Sequence, residues 1–196
     1  MPPLRKFQRE DFIDAAYEIV RREGIQGVNA RKIAKALHCS VQPLYHNFAT
    51  MEELKSAVTE KIYRTYISYM QKGAKEERAY LGMGLAYIRF ARDYPNFFRL
   101  LFMAKSGLSP HDFIVNDDSG NDILHKGQSF SGLTGEQQKA FHLKVWVFTH
   151  GIAVLAATDT VKFTDDEIKE LLAVTTREML IGFKHTREQE ENTCAR

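Results

Sequence analysis

Gln42, Tyr45 and His46 fall within one short stretch of chain. Gln42 and His46 are four residues apart, a spacing that puts both side chains on one face of a helix. A glutamine amide and an imidazole can both hydrogen-bond base edges, and glutamine suits adenine N6 and N7. Tyr45 adds a hydroxyl for phosphate and a ring for a thymine methyl or a sugar. Ser40 and Val41 lead into this stretch. Arg31 stands near the start of the preceding short helix, where a phosphate is favoured by the exposed amides. Lys55 offers a further cation. The chemistry these residues suit is readout of duplex DNA, bases from one helix face and phosphates from its flanks.

Other chemistry is poorly served. His142 and His150 are eight apart, about two turns on one helix face, with His111 and His125 upstream. A metal-binding or enzymatic reading rests on these histidines. No cysteines or carboxylates stand at ligand spacing around them. The chain offers no nucleophile–base spacing, no Gly-rich phosphate loop and no carboxylate pair on one helix. No enzyme activity, metal or cofactor is therefore expected. Cys39 lies beside His38 and Ser40 near a helix start, a setting that can lower a thiol pKa; as a small residue packed in a turn it needs no such role.

The elements that hold these residues read as all-α. The five prolines lie at 2, 3, 43, 95 and 110. Long proline-free stretches carry 3.6-residue periodicity, and no hairpin signal occurs. The apolar stripe Phe12, Ile13, Ala16, Ile19 and Val20 predicts a helix from about Arg9 to Glu23. Asn29 caps a short helix from Ala30 to Leu37. Ser40 is expected to cap the next, which runs to Asn47 with Pro43 in its first turn. Leu44 and Phe48 share the inward face of that helix with Ile33 and Leu37. Thr50-Met-Glu-Glu53 is a capping box opening a long helix to about Gln71.

Further helices are expected at Lys75–Asp93, Asn96–Ala104 and, in a Gly-rich connection, Asn121–Lys126. Thr134 and Thr164 open capping boxes for two more, to Ala157 and His185. The polar residues after that are expected to fray.

Two short helices joined by two or three residues make a helix-turn-helix. Such a unit places its second helix in a major groove. Over the whole 196 residues, 27 Lys+Arg against 25 Asp+Glu leave a net charge of only +2. The first fifty residues carry eight basic and five acidic side chains, hence +3, which leaves −1 for the remainder. No acid occurs between Gly24 and Met51, where phosphates would be met. Arg5, Lys6 and Arg9 could serve as a mobile basic arm. The apolar run Val145–Ala157 is broken by Thr149, His150 and Gly151 and is read as a buried core helix, not a span. No membrane association and a cytoplasmic location are expected.

The run Gly27-Val-Asn-Ala-Arg-Lys-Ile-Ala-Lys-Ala-Leu-His-Cys-Ser-Val-Gln-Pro-Leu-Tyr-His-Asn-Phe48, followed by Thr50-Met-Glu-Glu-Leu54, resembles the TetR family of one-component transcriptional repressors. The resemblance covers about residues 7 to 58. His38 and Cys39 stand where the family usually has Gly and Val, and Met51 where a phosphate-touching lysine is frequent.

The second half is similar to a family C-terminal domain with a Phe-Ala…Tyr-Pro…Phe-Arg-Leu segment, here Phe90 to Phe102, and a Trp-x-x-x-His-Gly segment, here Trp146 to Gly151. The resemblance implies residues 1–50 as an N-terminal three-helix DNA-binding unit continuing into helix 51–71. It implies a helical-bundle domain over 51–186 that binds a small-molecule effector and dimerises, and leaves 187–196 as a polar tail. The expected function is a ligand-responsive repressor, homodimeric on a palindromic DNA operator. Apolar residues proposed for the effector pocket are Met83, Tyr87, Phe90, Phe102, Met103, Phe141, Trp146 and His150. The wide apolar face of the last helix predicts a dimer interface through Ile168, Leu171, Leu172, Met179 and Phe183. Besides the metal or enzyme reading through His142 and His150, a protein-binding adaptor on the same fold is the remaining rival.

Overall fold

The structure is a computed structural model that describes residues 7–104, 123–127 and 130–194. Every regular element among them is helical. These are α1 (Arg9–Glu23), α2 (Ala30–Ala36), α3 (Gln42–Asn47), α4 (Met51–Gly73), α5 (Ala79–Asp93), α6 (Pro95–Phe102), α7 (Gly135–Ala157) and α8 (Asp165–Cys194). Residues 123–126 are helical too, and a 3-10 turn covers Ile25–Gly27. The chain divides into two compact units, Met1–Ser68 with Asp93–Ala104, and Tyr69–Arg92 with Lys105–Arg196. α4 and α5 each contribute to both.

In the first unit the stripe predicted for α1 is its buried face: Phe12, Ile13, Ala16, Ile19 and Val20. It meets Ile33 of α2, Leu44 of α3 and Leu54, Val58 and Ile62 of α4, all fully buried. Phe12 and Phe48 pack edge to face, their centroids 6.4 Å apart. α6 closes this unit through Phe97 and Phe98, and Asn96 Nδ2 donates to the Arg21 carbonyl at 3.1 Å. Each large side chain so buried contributes about 1.5–3 kcal/mol.

α2 ends in a hydrogen-bonded turn. Cys39 N–H donates to the Ala34 carbonyl at 3.0 Å and His38 N–H to that of Lys35 at 3.2 Å, the double closure of a Schellman motif. The residue after the cap must then be left-handed, and His38 has φ 53°. This is the position where the resembling family usually carries glycine. α3 begins at Gln42 with Val41, not Ser40, at its cap. Were Ser40 the cap, Pro43 would remove one of the two amides its oxygen could take.

Thr50 accepts from Glu53 N–H at 3.1 Å, but the Glu53 carboxylate reaches back to Ala49 N–H at 2.8 Å, so the box closes one residue early. The Thr134 and Thr164 boxes close as predicted.

In the second unit α5 starts at Ala79, not Lys75, and residues 74–78 form turns. Gly73 and Gly82 explain this. A Cβ on Gly73 would lie 2.5 Å from the Gly82 carbonyl oxygen, so the two backbones touch and a tight link must join them. Leu124, Phe130, Phe141 and Val145 form the unit's aromatic core, with Tyr80, Met179, Leu180 and Phe183 packed against it. Arg89 and Arg92 hold Asp165, at the start of α8, at 3.0 and 2.6 Å.

α7 is long and apolar enough to cross a bilayer by length and composition. It instead buries Phe141, Val145, Ile152 and Ala153, together with the polar His142 and Thr149, inside this unit. α8 runs on to Cys194, through the stretch expected to fray. That stretch is polar, with three Glu, and has neither Gly nor Pro to stop a helix.

Candidate nucleic-acid interface and ligand cavity

The DNA-facing candidates follow from how α3 is anchored. Leu44 and Phe48 are buried, which turns Gln42, Tyr45 and His46 outward. All three are exposed, as are Ser40 and Val41 at the entry to the helix, and Tyr45 is 50% accessible. The Tyr45 ring and hydroxyl are thus open to an approaching partner. Asn47 Nδ2 donates to the Pro43 carbonyl at 2.9 Å and so ties down the far end of the helix.

Arg9 fixes α3 from below. Its Nη1 donates to the Asn47 carbonyl at 2.7 Å and pairs with Glu53 at 2.9 Å, while the guanidinium lies 4.0 Å from the Phe48 ring centroid. Ala49 N–H and Arg9 together hold the Glu53 carboxyl below its ordinary range. Arg9 is thus a clamp, not part of a mobile arm; Arg5 and Lys6 lie outside the described residues.

Lys32, in α2, is paired with Glu23, which lowers the Glu23 pKa. Lys55 is half-buried and 3.7 Å from Glu52. Arg31 and Lys35 are exposed and make no ion pair among the described residues. They are the cations left for phosphate. Asn29 Oδ1 accepts from Lys32 N–H at 3.0 Å, which sets Arg31 in the first turn of α2. No acid stands between Gly24 and Met51, so nothing on this stretch opposes an approaching phosphate.

Residues 12–58 match the model of the bacterial regulatory proteins of the tetR family. They form a TetR-type helix-turn-helix domain. Across more of the chain, it is 24% identical over 166 residues to an uncharacterized HTH-type transcriptional regulator of Mycobacterium tuberculosis, covering 83% of this chain and 76% of that protein. In fold it is similar to a transcriptional regulator from Rhodococcus sp. Rha1, with a TM-score of 0.56 at 13% identity, covering 90% of this chain and 97% of that one. The family match covers this N-terminal stretch, and the likeness to the Rhodococcus structure is one of fold. The TetR-type domain places Gln42, Tyr45 and His46 on the outer face of its second short helix.

The unit that follows the TetR-type domain in the chain holds a cavity of about 50 Å³. Of the eight residues proposed for a pocket, Met83, Tyr87 and Trp146 line it. His150 stands behind it, stacked on Trp146 at 5.0 Å between ring centroids. Phe90 and Phe141 are fully buried core residues instead. Phe102 and Met103 belong to the first unit, where Phe102 packs edge to face on Tyr66.

Met70, Tyr80, Gly84 and Thr149 line the cavity without having been singled out. A periodic signal for Tyr80 existed, since Tyr80 and Tyr87 are seven apart, two turns, just as His142 and His150 are nearly so. The structure joins them in pairs: Tyr80 Oη lies 2.9 Å from His142 Nδ1, and Tyr87 Oη 2.9 Å from His150 Nδ1. Burial pushes the His150 pKa below its ordinary 6.5. The two histidines behind the metal or enzyme reading are thus each engaged by a tyrosine. His125 hydrogen-bonds Gln138, and His111 lies outside the described residues.

The dimer candidates divide the same way. Ile168 and Leu172 are buried inside the unit, and Met179 and Phe183 pack on its aromatic core. Leu171 alone of the five faces outward, 39% accessible. Val147 of α7, at 55%, and Ile181 of α8, at 48%, are also exposed apolar residues of this unit. Gly151 and Gly182 add open, side-chain-free surface to the same helices. The five lie within one arc of α8, with Leu171 at its exposed edge.

Proposed function

We propose that the protein is a cytoplasmic, homodimeric transcriptional repressor that leaves a palindromic DNA operator when a small molecule binds its second unit. The observation that carries this reading is the outward face of α3. Gln42, Tyr45 and His46 project from a helix that Leu44, Phe48 and Arg9 hold in place, within an acid-free stretch. Gln42 and His46 read base edges, Tyr45 meets phosphate or a thymine methyl, and Arg31 and Lys35 neutralise phosphates.

Dimerisation supplies the second recognition helix. The occupant of the outer face is a second copy, because Val147 on α7 and Leu171 and Ile181 on α8 are large apolar side chains left open. Half-sites then recur about 34–36 Å apart or a little more. Effector and operator binding are reciprocally antagonistic, by a coupling of about 1–3 kcal/mol. α4 is the natural carrier, since its residues up to Ser68 belong to the first unit and those from Tyr69 to the second.

The test is a gel shift with the protein's own upstream DNA, compared with a Gln42→Ala/Tyr45→Ala variant. The variant is expected to lose specific operator binding and stay dimeric. Operator affinity equal to wild type in that variant sinks the assignment. No shift even at low salt favours an adaptor that grips another protein.

A further inference from the structure

The outward side of α3 carries two rows of side chains. Val41 stands one residue before the helix but has helical dihedrals, φ −74° and ψ −17°. It therefore continues the spiral, and Tyr45, four residues on, lies on the same face one turn away. Gln42 and His46 form the second row, one residue further round the helix. The first row is apolar and open, with Val41 40% and Tyr45 50% accessible. The second is polar and also exposed.

The core does not take up the first row, because Leu44 and Phe48 fill the buried side of α3 instead. A single exposed apolar side chain is ordinary on a protein surface. A valine and a tyrosine one turn apart make a continuous strip, and this one runs beside a hydrogen-bonding strip of the same length. Both are held in a fixed orientation. Asn47 Nδ2 is tied to the Pro43 carbonyl at 2.9 Å, and Arg9 holds the Asn47 carbonyl at 2.7 Å.

The four bases offer one apolar group to the major groove, the C5 methyl of thymine; the other groups that distinguish them there are donors or acceptors. Thymine is therefore the match for an apolar strip. A valine set against cytosine N4 or guanine O6 takes that group out of water and returns no hydrogen bond. Gln42, next in the chain, suits adenine N6 and N7. Side chains this close meet bases that pair with each other or stand one step apart.

We infer that Val41 selects thymine: its methyl groups and the Tyr45 ring enclose the C5 methyl of one thymine in each half-site, beside the adenine read by Gln42. This rests on the reading that α3 enters a DNA groove, and it names the base that Val41 decides. The Tyr45 hydroxyl stays free of that contact and available to a phosphate. Arg31 and Lys35, exposed on α2, favour duplex DNA over an apolar protein surface as the occupant.

Uracil differs from thymine only by lacking the C5 methyl, so it tests the contact atom by atom. Full-length protein first selects duplexes from a random-sequence pool. The enriched duplex is then remade with uracil at one thymine at a time, and affinity is read by fluorescence anisotropy. One thymine in each half-site is expected to be sensitive, uracil there weakening binding about fourfold, the worth of one buried methyl. Val41→Ala is expected to bind the thymine and uracil versions of that site equally and to keep the preference for the neighbouring adenine. Gln42→Ala is expected to do the reverse, losing the adenine preference and keeping the thymine–uracil difference.

Sequence-selective binding in which no uracil substitution weakens the unaltered protein by more than about twofold overturns the inference and leaves the DNA-binding reading standing. A thymine–uracil difference that Val41→Ala retains in full does the same. Should Val41→Ala fail to fold, the uracil scan of the unaltered protein decides alone. A protein that enriches no sequence from the pool fails the DNA-binding reading itself, and the inference falls with it.

Discussion

The Arg9 guanidinium donates to the Asn47 carbonyl at 2.7 Å, joining the first residue of α1 to the last residue of α3. The same guanidinium pairs with Glu53 and covers Phe48, so one side chain holds α3, its exit and the start of α4. A charged donor on a backbone carbonyl contributes about 1.5–3 kcal/mol and an exposed cation–π contact about 0.5–1. Arg9 is roughly half exposed, so the lower part of that range applies. Arg9→Ala is expected to lower unfolding stability by about 1–2 kcal/mol in urea titrations, and Arg9→Lys to recover only part of it, because lysine lacks the fork. Stability unchanged in Arg9→Ala would show that the clamp is ornamental.

Glu53 gives that clamp a pH dependence. Its carboxyl is held below the ordinary 4.5 by Ala49 N–H and Arg9. A depressed carboxylate stabilises the fold above its unfolded pKa, and the contribution is lost as pH falls through the lower folded value. Acid titration followed by circular dichroism is expected to show wild type losing stability below 4.5 more steeply than Glu53→Gln. Parallel curves would remove the ion pair from the account.

Much of this was readable from local signals, and the failures have physical causes. The caps at Asn29, Thr134 and Thr164 were legible because a capping residue and its partner lie within one turn. Ser40 misled because Pro43 removes one of the two amides a serine there could cap, and the helix starts after Val41. The helical tail was missed because polar, charged residues suit a solvated helix as well as a coil. Which apolar residues of α8 stay exposed was not legible, since Ile168 and Leu171, or Leu172 and Ile181, are equally apolar. Only packing distinguishes the buried pair from the exposed one. Phe102 and Met103 had pocket-like chemistry but fold into the first unit.

His38 carries a backbone cost. A non-glycine residue at φ 53° in a Schellman turn is strained by about 1–2 kcal/mol, part of which glycine would forfeit to its freer unfolded chain. His38→Gly is expected to raise stability by about 0.5–1 kcal/mol. Asp159, at φ 54° after α7, is in the same kind of turn; aspartate tolerates the left-handed region better, so Asp159→Gly is expected to gain less. Thermal unfolding of both variants checks the order, and a destabilised His38→Gly would mean the ring has contacts worth more than the strain.

The cations of the TetR-type domain should differ in their salt signature. Arg31 and Lys35 are exposed and make no ion pair among the described residues, whereas Lys32 is engaged by Glu23. Each phosphate contact removed is expected to reduce the slope of log affinity against log salt by about 0.9. Arg31→Ala and Lys35→Ala should flatten that slope and Lys32→Ala should leave it nearly unchanged, as read by fluorescence anisotropy over a salt series. An effect of Lys32→Ala as large as that of Arg31→Ala would place the phosphate track elsewhere.

The outer and inner faces of α7 and α8 predict opposite phenotypes. Val147 and Ile181 are exposed and apolar, so a charge there costs the protomer little but cannot be buried without a partner in a dimer interface. Val147→Glu/Ile181→Glu is expected to give folded monomers by light scattering, with operator affinity reduced by more than about tenfold because one half-site is read at a time. Ile168→Ala and Leu172→Ala remove buried side chains and should instead cost about 2–5 kcal/mol of protomer stability. These two leave the exposed face intact, so at protein concentrations where they stay folded they should remain dimeric. A Val147→Glu/Ile181→Glu protein that still elutes and scatters as a dimer would exclude this face as the subunit contact.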